Sequence, residues 1–162
     1  MPFCGRLRNV PETWPELQRA AEQRFWDGLS LATSSEHCET GAIYLLGYTV
    51  EMLLKAAYYR EQGVPRHVDT SQARKQARGL VSGYRRNDHD LNYWVNVLEQ
   101  LRILHKRPLD AATLGAIRLK VAAVEANWDE SIRYRAVGPT ETELNEVLGS
   151  ADWLLKHYRN WR

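Results

Sequence analysis

The chain has 162 residues, a length typical of one domain, and its net charge of +2 is too small to indicate a polyanionic partner by itself. Cys4 and Cys38 are too few and too far apart for a disulfide framework or a metal cluster, which favours two free thiols in a reducing compartment. Six tryptophans and eight tyrosines supply core area, and such rings also serve at interfaces and stack on bases.

The first predicted helix runs from about Trp14 to Thr33. Thr13 and Glu16 fit a capping box, in which the two side chains satisfy each other's backbone N–H groups. Residues 1–10 contain two arginines but no apolar stretch. We therefore expect no signal peptide and a cytoplasmic protein.

The run from Gly41 to Gln62 predicts a second helix that is apolar almost all round. Between Ala42 and Tyr59 its only charged residues are Glu51 and Lys55. A helix of this kind belongs in the centre of a protein, and two charges in its interior argue against a membrane span. We expect no membrane association.

One narrow stripe of this helix holds most of its polar groups. At about 100° per residue, the stripe consists of Tyr44, Tyr48, Glu51, Lys55, Tyr58 and Gln62. Glu51 and Lys55 stand at i, i+4, the spacing of a helical ion pair, so a self-satisfied and partly buried salt bridge is one interpretation. The other is that Tyr48, Glu51 and Lys55 line a polar groove that contacts a ligand or a partner subunit.

A polar and basic segment follows from Val64 to Asn87. Between Arg66 and Arg86 it has a single acidic residue, Asp69, against six basic ones: Arg66, Arg74, Lys75, Arg78, Arg85 and Arg86. This is the one marked charge asymmetry of the sequence. Residues 71–78 predict a short helix within it.

Three more helices complete the pattern. Asp88 is the expected N-cap of the third long helix, Pro108 and Asp110 open the fourth, and Thr140 with Glu143 forms a second capping box before the last. No stretch alternates apolar and polar residues, so strands are not supported. The sequence predicts a single all-α domain over its full length, a bundle of four to five main helices with a basic loop after the central one.

The familiar catalytic signatures do not occur in the sequence. It has no glycine-rich phosphate loop, no paired CxxC, no HExxH and no nucleophile elbow. None of the histidines lies three or four residues from another, which is the spacing that places two ligands on one helix turn. We expect neither a metal nor a cofactor; the histidines are His37, His67, His89, His105 and His157.

Two short groups of residues suit phosphate or base recognition. Arg85 and Arg86 lead into a helix start, where backbone N–H groups favour anions, and His89 can donate to a phosphate or act as acid or base. Asp88 and Asp90 compete for the same positive groups, so a capped, solvated loop is the alternative.

The second group is the triplet Arg133-Tyr134-Arg135 in the connector before the last helix. Two guanidinium groups around one aromatic ring suit stacking on a base together with phosphate contact.

The chain resembles the HEPN family, the higher-eukaryote and prokaryote nucleotide-binding domains. A pattern G-Y-x-x-E-x-x-L-K-A is matched in the central helix by Gly47, Tyr48, Glu51, Leu54, Lys55 and Ala56. His89-Asp90-Leu91 looks like the H-x-L that opens a later helix of that family. Arg133-Tyr134 is similar to a connector that precedes the last helix in some members. These marks extend over most of the chain.

The resemblance implies a homodimeric α-helical bundle that binds or acts on RNA or nucleotides. Many members are metal-independent endoribonucleases in toxin–antitoxin or defence systems, which would give a nucleotidyltransferase-like antitoxin as a partner. Those enzymes have an arginine and a histidine with four to six residues between them. Here that spacing occurs only from Arg60 to His67, where Gly63 and Pro65 interrupt it.

Three functions follow as hypotheses. The first, which we favour, is a homodimeric RNA- or nucleotide-binding module whose ligand residues are Tyr48, Glu51, Lys55, Arg85, Arg86, His89, Arg133 and Tyr134. The second is a metal-independent ribonuclease with His89 as acid–base and Arg85 or Arg86 as charge stabilisers. The third is a non-catalytic interaction subunit that uses the stripe of the central helix to bind a partner.

Overall fold

The computed structural model describes residues 12–81, 89–134 and 137–161, and these ranges contain six α-helices and no strand. The helices are α1 (Trp14–Ala32), α2 (Glu39–Glu61), α3 (Ser71–Ala77), α4 (Leu91–Leu104), α5 (Ala111–Asn127) and α6 (Glu141–His157), with short 3-10 helices at Ile132–Tyr134 and Tyr158–Asn160. The predicted all-α class is confirmed, as are five long helices and a short one in the basic segment. The specific HEPN arrangement stays a prediction.

Helix α2 lies at the centre of the bundle, as its apolar sequence predicts. It packs along α1 and also contacts α4, α5 and α6. Leu46, Val50 and Leu53 on the face opposite the polar stripe are fully buried. Within the described ranges, no helix is both long and apolar enough to cross a membrane.

Three of the predicted helix starts are confirmed. Thr13 with Glu16 and Thr140 with Glu143 form capping boxes at α1 and α6. The Asp110 carboxylate accepts the Thr113 backbone N–H at 2.8 Å and caps α5. These starts are predictable because a capping motif acts over only three residues.

The predicted cap of α4 is wrong by two residues. The helix begins at Leu91, and Asp90 is its N-cap, with extended backbone angles and a carboxylate that accepts the Tyr93 N–H at 2.7 Å. Asp88, the residue predicted for this role, lies outside the described residues. Both aspartates have the right chemistry, and the packing of Leu91 into the core selects the nearer one.

The first half of the basic segment, which contains α3, packs on α2. Ala73 and Ala77 of α3 are buried, and the Tyr58 hydroxyl donates to the Ala73 carbonyl at 2.9 Å. Lys75 and Arg78 stay exposed on the outer side of α3. This described part of the segment is thus anchored on the bundle, while Lys75 and Arg78 face solvent.

An ionic cluster joins the C-terminal ends of α2 and α4. Glu61 accepts from Arg102 at 2.8 Å and from His105 at 3.0 Å, and Arg102 also donates to the Trp161 carbonyl at 3.1 Å. Arg102 is only 3% exposed. Arg102 therefore holds Trp161 against the ends of α2 and α4 through charge-assisted hydrogen bonds.

Candidate functional site

Four of the predicted ligand residues meet where α2 packs on the start of α4. Tyr48, Glu51 and Lys55 lie on the same side of α2, and His89 stands two residues before the first residue of α4. The His89 ring contacts both Glu51 and Tyr48. Residues that the sequence analysis placed in two separate groups therefore belong to one site.

The charged side chains of this site form a continuous chain of contacts. Lys55 Nζ lies 2.6 Å from Glu51 Oε1, and His89 Nδ1 lies 2.8 Å from Glu51 Oε2. On the other side of the imidazole, His89 Nε2 lies 3.6 Å from Glu130 Oε2. Each oxygen of Glu51 thus has its own basic partner.

The inner part of this chain is buried and the outer part is not. Glu51 is 4% exposed and Lys55 is 7% exposed, whereas about a third of the His89 side chain is open to solvent. The Lys55 ammonium also lies 5.3 Å from the centre of the Trp94 ring, a cation–π contact. The predicted buried salt bridge is confirmed, although it does not satisfy itself, because Glu51 also contacts His89. Its burial leaves Glu51 and Lys55 little surface for direct contact with a ligand.

A wall of aromatic rings supports the histidine. Tyr48 meets the His89 ring edge-on at 6.0 Å between ring centres, and it meets Trp128 in the same way at 5.5 Å. The Trp128 indole N–H donates to the Tyr44 carbonyl at 3.2 Å. A Cβ placed on Gly47 would overlap the Trp128 indole. The glycine of the G-Y-x-x-E pattern is therefore required by the close approach of Trp128 to α2.

Two carboxyl groups stand beside the site, at the N-cap of α4. Asn92 donates to the Glu125 carboxyl, which faces the capping Asp90. Burial, and after it the Asp90 carboxyl, raises the pKa of Glu125 to about 7. Below that pH the protonated form of Glu125 predominates. This pair was not predicted, because no local sequence motif links Asp90 at the start of α4 with Glu125 of α5.

The predicted arginines are only partly described. Arg85 and Arg86 fall within residues 82–88, outside the described ranges, and the same holds for Arg135. The backbone of Arg133 belongs to the 3-10 helix at Ile132–Tyr134, and its side chain is not described. The Tyr134 side chain is 75% exposed. That these groups share a ligand with His89 stays a prediction.

The connector that bears Arg133 and Tyr134 is held next to the site by its own residues. Asp129 accepts the Ser131 backbone N–H at 2.7 Å, which closes a turn before the 3-10 helix. Ile132 is buried at 3% exposure and anchors that helix in the core. Glu130, between these two anchors, reaches His89. The exposed Tyr134 side chain thus belongs to a segment whose backbone is held in place by the turn and by Ile132.

A cleft of about 470 Å³ lies where the connector meets the end of α5 and the start of α6. It is lined by Ala126, Asn127, Ile132, Val137, Gly138, Pro139 and Glu143. Of the predicted ligand residues whose side chains are described, none lines this cleft. In the parts of the chain that the structure describes, no group of three or more histidine, cysteine or acidic residues is placed to hold a metal ion.

The described site belongs to an all-α bundle with a buried carboxylate–histidine contact at its edge. Comparison of the chain with protein-family models, with curated proteins and with solved structures finds no match. The resemblance to HEPN proteins therefore rests on the sequence pattern alone.

Proposed function

We propose that this protein binds RNA or a nucleotide through its phosphate groups, at the junction of the α4 start and the connector that follows α5. The observation that supports the proposal is the contact between His89 and Glu130, 3.6 Å from Nε2 to Oε2. It joins the two parts of the sequence that were separately interpreted as phosphate- and base-binding. A ligand at this junction meets both parts at once.

Two of the predicted cations are close sequence neighbours of the residues in this contact. Arg86 precedes His89 by three residues and Arg133 follows Glu130 by three. In the proposal, both guanidinium groups bind the phosphate at the junction. The exposed Tyr134 ring then supplies a surface for a base to stack on.

The described charged groups at the junction are mostly acidic, so the positive charge that meets a phosphate has to come from His89 and the predicted arginines. His89 and the predicted arginines meet the phosphate, while Tyr48 borders the histidine. Glu51 and Lys55 are buried, so their role is to hold His89 in place rather than to contact the phosphate. The homodimer and the antitoxin-like partner implied by the HEPN resemblance are part of the proposal and stay predictions.

Binding should weaken steeply as salt rises, because arginine–phosphate contacts release counterions. We expect a labelled single-stranded RNA oligonucleotide to bind in fluorescence anisotropy at low salt. The double variant Arg85→Ala/Arg86→Ala should weaken binding and lower the slope of log affinity against log salt by about 1 to 2. Arg118→Ala, which removes an exposed charge on α5 paired with Glu99, is the control and should leave the slope unchanged. Absent binding, or binding that is insensitive to salt, contradicts the proposal.

Glu130→Gln should strengthen binding of the same oligonucleotide. The Glu130 carboxylate occupies the position beside His89 Nε2 that an incoming phosphate oxygen would take, and it repels that phosphate. We expect a gain of about 1 kcal/mol, or roughly fivefold in affinity, at low salt. Glu36→Gln changes the net charge equally at an exposed loop and is the matched control. An equal gain in both variants would show that only net charge matters.

A ribonuclease is the second candidate, and the 2.8 Å contact between Glu51 and His89 favours it. A carboxylate that orients an imidazole is a common arrangement for general acid–base catalysis. The test is incubation of the protein with total RNA in EDTA. Cleavage that His89→Asn abolishes supports this candidate, and cleavage that the variant leaves unchanged removes His89 from it.

A further inference from the structure

The protonation state of each His89 nitrogen is decided by what faces it. Nδ1 lies 2.8 Å from a carboxylate oxygen of Glu51, and a carboxylate can only accept a hydrogen bond. The Lys55 ammonium on the other oxygen of Glu51, at 2.6 Å, supplies the counter-charge for the ionised form. A neutral imidazole has one N–H, and the stronger acceptor determines which nitrogen bears it.

We propose that Glu51 is a positioning residue for His89: it keeps a proton on Nδ1, so that Nε2 is the nitrogen that takes up and releases a proton at the surface. In the protonated ring, Nδ1–H donates to Glu51 and Nε2–H faces Glu130. In the neutral ring, Nδ1–H is retained and Nε2 has a lone pair. The exchanged proton comes from solvent and returns to it. The statement that Nε2 meets the ligand rests on the proposed function, whereas the assignment of the proton does not.

The surroundings of the ring favour one orientation. Titratable groups that contact it include Glu51 and Tyr48 from α2 and Glu130 from the connector. Of the two carboxylates, Glu51 lies within hydrogen-bond distance of the ring, 2.8 Å from Nδ1, whereas Glu130 lies 3.6 Å from Nε2, beyond a normal hydrogen bond. The Nδ1 contact is therefore the stronger one, and it holds the proton of the neutral ring.

Long-range proton–nitrogen NMR correlation on protein with ¹⁵N-labelled histidine tests this assignment without any ligand. The His89→Asn variant identifies the His89 signals among the five histidines. In the neutral ring of the wild type, we expect Nδ1 to have the chemical shift of a protonated nitrogen and Nε2 that of an unprotonated one. The double variant Glu51→Met/Lys55→Met should abolish this preference, because it removes the acceptor together with its counter-charge. Tyr48→Phe, which alters only the neighbouring ring, should retain it.

Each outcome decides one claim. A neutral wild-type ring with its proton on Nε2 overturns the proposal, and so does a double variant that keeps the proton on Nδ1. The wild-type spectrum is decisive even where the double variant does not fold. A proton on Nδ1 combined with no RNA binding leaves Glu51 as the positioning residue and rejects the proposed function instead.

Discussion

Gly47→Ala should lower the free energy of unfolding by about 3 kcal/mol, the upper end of what overpacking a well-filled core costs. The added methyl group overlaps the Trp128 indole, so one of the two has to move. Trp128 is 2% exposed, packs against Tyr48 and donates its N–H to the Tyr44 carbonyl, so a shift of the ring also breaks those contacts. Urea unfolding followed by circular dichroism measures the loss.

The matched control is Gly149→Ala in α6. A methyl group there meets no atom within 4 Å, and the position is exposed and helical. Alanine is favoured over glycine in a helix by up to about 1 kcal/mol, so this variant should gain stability. The same propensity gain applies at Gly47, where the steric overlap outweighs it. If both variants gain stability equally, Trp128 does not lie against Gly47.

A double-mutant cycle links the effect to its cause. Trp128→Ala should cost about 3 kcal/mol or more in the wild type, since it empties a buried aromatic position. In the Gly47→Ala background part of that packing is already lost, so the same change should cost less. Additive effects would mean that Gly47 and Trp128 act independently.

The helices were predictable because their signals are local. The capping box of Thr13 and Glu16 and the Asp110 cap extend over three residues each, and the apolar run of α2 shows its central place without knowledge of its neighbours. Asp88 and Asp90 show the limit of local evidence. Two aspartates two residues apart satisfy the same rule, and only the packing of α4 distinguishes them.

The candidate site was predictable in its members but not in its arrangement. Glu51 and Lys55 stand one turn apart, so their ion pair follows from the sequence. The contact between Glu51 and His89 spans 38 positions of the chain and depends on how far α4 is shifted along α2. The same applies to Glu130 and to the carboxyl pair of Asp90 and Glu125. Residue spacing does not predict how far one helix is shifted along another, because that position results from the packing of whole helix faces.

Breaking the buried ion pair should destabilise the fold much more than replacing both partners. Glu51→Met leaves the buried Lys55 ammonium, which lies beside the Trp94 ring, without its carboxylate partner, and we expect a loss of about 4 kcal/mol. Lys55→Met should cost less, about 2 to 3 kcal/mol, because Glu51 keeps its hydrogen bond from His89. The double variant Glu51→Met/Lys55→Met should lose about 1 kcal/mol or less, since an apolar pair of similar volume fills the space.

An exposed pair of the same geometry provides the control. Lys156 and Asp152 also stand at i, i+4 and also lie 2.6 Å apart, but their side chains are 67% and 36% exposed. Lys156→Met should change the free energy of unfolding by less than about 0.5 kcal/mol. Urea unfolding of the four variants and the wild type gives all of these values. A loss in the double variant that equals the sum of the two single losses would show that Glu51 and Lys55 are not energetically coupled.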